Sequence, residues 1–368
     1  MGETGVYVAV DRLRSFVTDA LIRMGVPGAD AEIVADVLLS ADLYGIESHG
    51  ISRLRMYYQR IKNGQQKAVT NWSIVKETPT TAVVDGGNGM GMVVAYHCMR
   101  LAIEKARQHG LGAVAVRNSG HYGIAGYYTR MAVRAGMVGV TLTNARPAIP
   151  PTFGVRPLLG TNPIAVSVPT DEAFPFTFDA SMSIAPRGKI EVAARAGKPI
   201  PAGWVIRSDG TLTTESAQVI EEMDKGEAAL LPLGGAGELM GGHKGYGLAT
   251  VVEIFSAAFQ DGAFLSQLYD TDQDGNLQPL RIGHFFMAIN VESFVPLERF
   301  KNTAGRIMRE LRAQGKALGS ERIYTAGEKA YCNSLRALQE GIRIPPSLQK
   351  GLRALIDELN IPDHNLGF

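Results

Sequence analysis

Residues 48 to 53 bring a hydroxyl, an imidazole and a guanidinium together in one stretch, Tyr44-Gly45-Ile46-Glu47-Ser48-His49-Gly50-Ile51-Ser52-Arg53. Imidazole moves protons near neutral pH. Guanidinium holds a carboxylate through two parallel hydrogen bonds. The stretch therefore suits a site that grips an acid and transfers a proton on it. His49 is the proton carrier in this reading and Arg53 the carboxylate clamp. Ser48 and Tyr57, the latter one helical turn beyond Arg53, are further pocket candidates, with capping and core packing as their ordinary roles. Gly45 and Gly50 bracket the Ser-His pair, so a turn is expected there rather than a helix interior. By itself Ser-His-Gly is a common solvated turn; the rest of the chain gives it weight.

Two other histidines are embedded in glycine. His121 lies in Asn118-Ser119-Gly120-His121-Tyr122-Gly123-Ile124-Ala125-Gly126-Tyr127-Tyr128, directly after the apolar run 113–116. That puts it at the C-terminal end of a strand, where α/β sheets bind ligands. His243 opens His243-Lys244-Gly245-Tyr246-Gly247. His97, His109 and His284 read as structural, and His364 is near the terminus.

The nucleotide and metal motifs fail on spacing. Gly235-Ala236-Gly237-Glu238-Leu239-Met240-Gly241 resembles a dinucleotide fingerprint, but the acid expected about 20 residues on falls near Glu253, inside a helical pattern. Gly237 through Lys244 misses a P-loop because His243 separates the last glycine from the lysine. Asp270, Asp272, Asp274 and Gly275 begin a calcium loop, but Arg281 stands where its bidentate glutamate belongs. No metal site is expected.

These groups need elements to hold them. Leu13, Phe16, Val17, Ala20, Leu21 and Met24 recur at helical spacing up to Gly25. Ile33, Val34, Val37, Leu38 and Ala41 repeat the pattern, and Leu54, Tyr57, Tyr58 and Ile61 make a third helix ending near Gly64. Residues 1–75 thus read as a helical subdomain with the Ser-His turn at a helix junction. The texture then becomes mixed. Strands are expected at 81–85, 112–117, 137–143, 164–169, 176–179 and 284–290. Helices are expected at 93–109, 246–258 and 297–314. A hairpin of 204–206 with 211–214 is expected around Ser208-Asp209-Gly210. The order is not a clean βαβ alternation, so a mixed sheet is expected, not a purely parallel one. Residues 76–324 would form this α/β domain. The helical tail 325–368, its last helix opened by Pro345 and Pro346, would join the N-terminal helices.

Composition narrows the function classes. The chain has 368 residues, 45% hydrophobic and 20% charged, with net charge +1. That leaves no electrostatic case for nucleic acid or a membrane surface. Cys98 and Cys332 are the only cysteines, which excludes a disulfide framework and fits a reducing cytoplasm. No apolar run is long enough to span a bilayer, and no signal-peptide pattern is expected. Met1-Gly2 resembles a myristoylation start, but Val6 occupies the Ser/Thr position.

The motifs S-H-G-x-x-R, N-S-G-H-Y-G, L-G-T-N-P-I-A (159–165) and H-K-G-Y-G occur in one order. With Thr143-Asn144-Ala145-Arg146-Pro147, Phe178-Asp179-Ala180-Ser181-Met182-Ser183, Arg187-Gly188-Lys189-Ile190 and Gly327-Glu328-Lys329, they resemble the type-2 malate/L-lactate dehydrogenase family over most of the chain. That family includes sulfolactate, ureidoglycolate and diketogulonate oxidoreductases and a cyclic-imine reductase. The resemblance implies a non-Rossmann, largely antiparallel fold, an NAD or NADP cofactor and a homodimer. It implies cofactor contacts at His121, Thr161, Asn162, Phe178, Asp179, Ala180, Ser181, Met182, Ser183, His243, Lys244, Gly327, Glu328 and Lys329. Asp179 would orient His49 and raise its pKa. His121 competes with His49 for proton transfer. Arg146 borders the active site, where an unpaired guanidinium would call for a second anion on the substrate, favouring a malate-like or sulfolactate-like acid. The other function classes are a lyase using Lys244 as a Schiff-base nucleophile and a non-catalytic sugar-acid binder. Neither would consume a nicotinamide cofactor.

Overall fold

The computed structural model describes residues 5–368, so Met1-Gly2 lies outside the described residues. The chain begins with β1 (Val6–Val8), α1 (Val10–Arg23) and α2 (Gly28–Leu43). Two 3-10 turns, Glu47–His49 and Ile51–Arg53, lead into α3 (Leu54–Lys62). Next come β2 (Ser73–Glu77), β3 (Thr81–Asp85), α4 (Gly91–His109), β4 (Leu111–Ser119), α5 (Ala125–Arg134), β5 (Met137–Thr143), β6 (Ile164–Val168) and β7 (Phe176–Ala180). A smaller lobe holds α6 (Arg187–Arg195), β8 (Val205–Arg207), α7 (Ser216–Asp224) and β9 (Ala228–Leu230). The chain closes with α8 (Gly242–Ala257), β10 (Ile282–Asn290), α9 (Leu297–Arg312), α10 (Glu328–Glu340), β11 (Ile342–Ile344) and α11 (Pro346–Leu359).

Seven strands form one sheet in the order β2-β3-β4-β10-β5-β6-β7. Only β3 and β4 are parallel, and α4 supplies the crossover that a parallel pair requires. All other neighbours are antiparallel. The pleat sends alternate residues of β10 to opposite faces. Phe286 joins the core under α4 and α5, while Phe285 packs with Val252 of α8 on the other side. This is the mixed, largely antiparallel α/β fold expected from the sequence.

The chain ends meet. β1 pairs with β11, Val6 opposite Ile344, and α11 packs on α1 and α3. The buried stripe of α1, from Leu13 to Leu21, shares one core with α2, α4 and Leu352 and Leu355 of α11. No helix among the described residues is long and apolar enough to cross a membrane.

Two expectations need correction. The 204–206/211–214 hairpin is reduced to one bridge, Ile206 with Leu212. β8 pairs instead with β9, twenty-one or more residues further on, because Val205, Ala228 and Leu230 bury together with Ile190 and Val219. α8 also starts four residues earlier than expected, so His243 and Lys244 lie in its first turn.

Candidate active site

The turn at 48–53 is held from below. Asp42, buried near the end of α2, accepts the Ile51 N–H at 2.8 Å. A Cβ at Gly50 would fall 1.9 Å from Asp42 Oδ1, so only glycine lets the turn settle this close to the helix. Burial raises the Asp42 carboxyl to about 7.

From this turn His49 and Arg53 enter a cleft of about 820 Å³. Arg53 Nε donates to the Ser48 carbonyl at 2.5 Å. Its terminal nitrogens make no other described hydrogen bond, so the fork is available to a carboxylate. Ser48 Oγ lies 2.9 Å from His49 Nδ1. Burial, and then the Arg53 charge, push His49 down to about 4. It is therefore neutral at physiological pH, the form that accepts a proton.

His121 stacks behind His49, with ring centroids 5.5 Å apart and planes at 27°. The Tyr57 hydroxyl meets His121 Nδ1 at 2.6 Å, and the Gly123 N–H donates to the same nitrogen at 3.4 Å. A backbone N–H can only donate, so Nδ1 accepts and the neutral ring carries its proton on Nε2. Burial, followed by the charges of His49, Arg60 and Arg53, holds His121 well below the usual imidazole range. His284, expected to be structural, is buried between Thr143 (2.7 Å) and Ser119 (2.9 Å).

Thr161, Ala180, Ser181, Ser183 and Arg146 line the same cleft, as does Asp179. The expected Asp179–His49 pair is absent from the described hydrogen bonds. Asp179 sits at the end of β7, where α5 begins, and accepts the Gly126 N–H at 2.7 Å. With no carboxylate on it, the His49 pKa falls rather than rises. Arg146 lines the cleft but is 62% exposed and pairs with Asp270 at 3.2 Å. The unpaired guanidinium expected there is already neutralised.

A second cleft, about 360 Å³, shares Ile46, Ile124 and Asp179 with the first. Gly327 and Lys329 line it, along with Arg130. α10 begins here, and α5 begins beside it with its Gly126 N–H already taken by Asp179. Arg130 lies over the Tyr44 ring at 4.1 Å and Lys329 over Tyr324 at 4.7 Å. Neither has an ion-pair partner among the described residues, so the lobe favours anions. At Gly327, with φ 94°, a Cβ would sit 2.9 Å from the Pro175 carbonyl.

Several residues expected at the cofactor sit elsewhere. Asn162 is fully buried, its amide bonded to Ala249 O (3.0 Å) and Glu253 Oε2 (2.8 Å). Glu253 also accepts the Leu265 N–H at 2.9 Å. Asn162 thus braces the cleft wall from behind. Met182 is buried with Ile149, Leu159 and Ala249. Glu328 is buried against Arg312 and Arg322. Phe178, His243 and Lys244 are exposed and line neither cleft. The residues that sequence reasoning missed are Asp42, Arg130 and Arg60. The last is a half-buried cation whose Nη1 is enclosed, detectable only as the next member of an i, i+4, i+7 series from Arg53 and Tyr57.

The family pattern described as Malate/L-lactate dehydrogenase matches residues 8–353. This chain belongs to that family. Malate dehydrogenase from Pyrococcus horikoshii is 44% identical over 97% of this chain and 95% of its own length. L-sulfolactate dehydrogenase from Methanocaldococcus jannaschii is 38% identical over 95% of this chain and 97% of its own. The crystal structure of malate dehydrogenase from Entamoeba histolytica superposes with a TM-score of 0.93 at 40% identity, covering 98% of this chain and 99% of that one. As a member of the malate/L-lactate dehydrogenase family the protein is an oxidoreductase, and the Ser48–Arg53 turn and the two joined clefts are its candidate site.

Proposed function

We propose that the protein interconverts a 2-oxo acid and a 2-hydroxy acid, of the malate or sulfolactate kind, using NAD or NADP. The observation that carries this reading is the turn that presents neutral His49 beside the free fork of Arg53 in one cleft. The two joined clefts fit a long, two-ended anionic cofactor: a large lobe holds the acid-binding turn, and a smaller lobe offers Arg130, Lys329 and the N-terminus of α10. Thr161, Ala180, Ser181, Ser183, Gly327 and Lys329 would hold the cofactor, which supplies or accepts the hydride when bound.

In this mechanism Arg53 fixes the carboxylate and so orients the neighbouring carbon. In oxidation His49 takes the hydroxyl proton; in reduction it returns a proton to the carbonyl oxygen. Ser48, on Nδ1, fixes the ring. His121, neutral and protonated on Nε2, backs His49, while Tyr57 holds its orientation. Lys244 lies outside both clefts, which argues against the Schiff-base lyase.

We further propose a homodimer. The outer face of α8 exposes Leu248, Val251 and Ile254, followed by Phe259, an apolar surface of the sort that subunits cover. Free Cys98 and Cys332 suit the cytoplasm. Residues 1–75 with 325–368 are proposed as one unit and 76–324 as the other.

The test is absorbance of the reduced nicotinamide with a panel of 2-oxo acids and each cofactor, alongside light scattering for the oligomeric state. Oxidation of NADH or NADPH that depends on a 2-oxo acid supports the reading. No consumption with any acid removes it.

A further inference from the structure

Glu253 is a buried acid with no cation beside it. It lies on α8, 5% exposed, and no ion pair among the described residues includes it. Three N–H groups hold it instead. Asn162 Nδ2 donates to Oε2 at 2.8 Å, while the Leu265 N–H (2.9 Å) and Asn144 Nδ2 (3.4 Å) donate to Oε1. Burial raises its pKa, and these donors offset part of the rise. Both asparagines are buried and fixed at further points. Asn144 Oδ1 accepts the Gly283 N–H at 2.8 Å, and its Nδ2 also reaches the Ala263 carbonyl at 3.1 Å. Asn162 Nδ2 also donates to the Ala249 carbonyl at 3.0 Å. A backbone N–H only donates and a carbonyl only accepts, so neither amide can turn round without losing a bond.

The three donors belong to three segments that line the large cleft. Asn144 follows β5 and Asn162 precedes β6, at neighbouring ends of two paired strands. Arg146, Pro147 and Ala148 come directly after Asn144, Thr161 and Pro163 flank Asn162, and Leu265 opens the short turn that ends at Tyr269. These six residues line the cleft, and Glu253 gathers their neighbours from behind. The first two segments are also joined directly, the Ala148 and Ile149 N–H groups both donating to the Leu159 carbonyl at 2.8 Å. Glu253 itself does not line the large cleft, so it touches no ligand there.

We infer that Glu253 is a positioning residue for ligand binding: it draws three segments into one side of the cleft and so sets cofactor affinity without touching the cofactor. This rests on the NAD or NADP reading above, in which Thr161 holds the cofactor. The effect comes from where the backbone of these segments stands, not from a charge they present, since Arg146 is already taken by Asp270. Small displacements of positioning groups are costly. Glutamine fills the same volume, but its NH2 must face either Asn162 or Leu265, and both are donors. One hydrogen bond is then lost and two donors are set against each other.

The test compares the wild type with Glu253→Gln and Asn162→Gly. Asn162 is left-handed at φ 39°, so glycine keeps its backbone while removing one of the three donors; this variant carries the same readouts if Glu253→Gln does not fold. Titration with NADH and NADPH, followed by the fluorescence of the reduced nicotinamide, should give a Kd raised about tenfold in Glu253→Gln and about threefold in Asn162→Gly. KM for the cofactor should rise in step, and kcat at saturation should stay within about threefold of the wild type, the pattern of lost binding rather than lost chemistry. Amide hydrogen exchange without ligand should quicken at 144–149, 158–163 and 263–269 but not in α1 or α4. A lower melting temperature with unchanged Kd and KM would make Glu253 purely structural and overturn the assignment. A loss confined to kcat, or exchange that quickens throughout the chain, would overturn it too. If the wild type binds neither nicotinamide, the cofactor reading fails instead. Exchange that quickens only in the three segments would then still support Glu253 as their anchor, and unchanged exchange would reject it.

Discussion

The floor and the far wall of the large cleft are built in opposite ways. The floor rests on buried Asp42, Ile51 and Tyr57, and its groups are shifted from their ordinary states: His49 and His121 are held neutral, and Asp42 is raised. The wall carries Arg146, exposed, and Arg187, partly exposed, each already paired with an acid. A charge that solvent and a partner already satisfy has little left to give a ligand. A group held away from its preferred state does. The chemistry should therefore concentrate on the floor, and changes on the wall should be felt weakly.

The largest effect is expected at His49. His49→Ala should cut kcat by about a hundredfold or more, the scale of general acid–base loss, with cofactor affinity nearly unchanged by titration. If His121→Ala abolishes turnover while His49→Ala keeps most of it, the proton carrier is the rear ring and the order within the floor is reversed. Next, Arg53→Lys should raise KM for the 2-oxo acid by about tenfold, although the charge is kept, because the bidentate fork is lost. An unchanged KM would take Arg53 off the carboxylate.

A third expectation is a displaced pH profile. The His49 pKa is lowered to about 4 from about 6.5 in an open chain. Hydroxy-acid oxidation needs the neutral ring, so kcat/KM should stay level through pH 6 and fall only as pH approaches about 4. The same shift means that the unfolded chain binds the extra proton between those values. Its contribution to stability is then present above about pH 6.5 and lost as pH falls through about 4. A profile halving near 6.5 would show that His49 sits in an ordinary solvated environment. The smallest effect is expected on the wall: Arg187→Ala should change stability by less than about 1 kcal/mol and turnover little. A tenfold loss of cofactor affinity would instead make Arg187 a cofactor ligand and blur the contrast.

Much of this was legible in the sequence. The helical spacing of Leu13 to Met24 and the ordered glycine motifs led to α1 through α3, the turn between them and the mixed sheet. β2 was not, since all five of its residues are exposed and no alternation marks it. α5 was not either, since Gly126 and the paired tyrosines give it no clear helical stripe. β8 found its partner across α7, a long-range choice made by burial, which local turn signals cannot report. The site divides along the same line. His49 and Arg53 announce themselves by type, whereas Asp42 and Arg60 look like ordinary helix charges. Their interest lies in what surrounds them, which only the folded chain specifies. Asn162 and Met182 illustrate the converse: a family motif marks a segment, and within it the pleat decides which side chains face the cleft and which face the core.

The contact between Gly50 and Asp42 ties two positions into one inherited unit. Any side chain at 50 collides with the Asp42 carboxyl, and any residue at 42 without a side-chain acceptor releases the N–H of Ile51. Retuning the turn one residue at a time would pass through intermediates that misplace His49 and Arg53 together. A library varied at position 50 alone should hold almost no active members, while one varied jointly at 42 and 50 should recover some. New substrate preferences are therefore more accessible by changing residues outside the turn than by reshaping the turn itself.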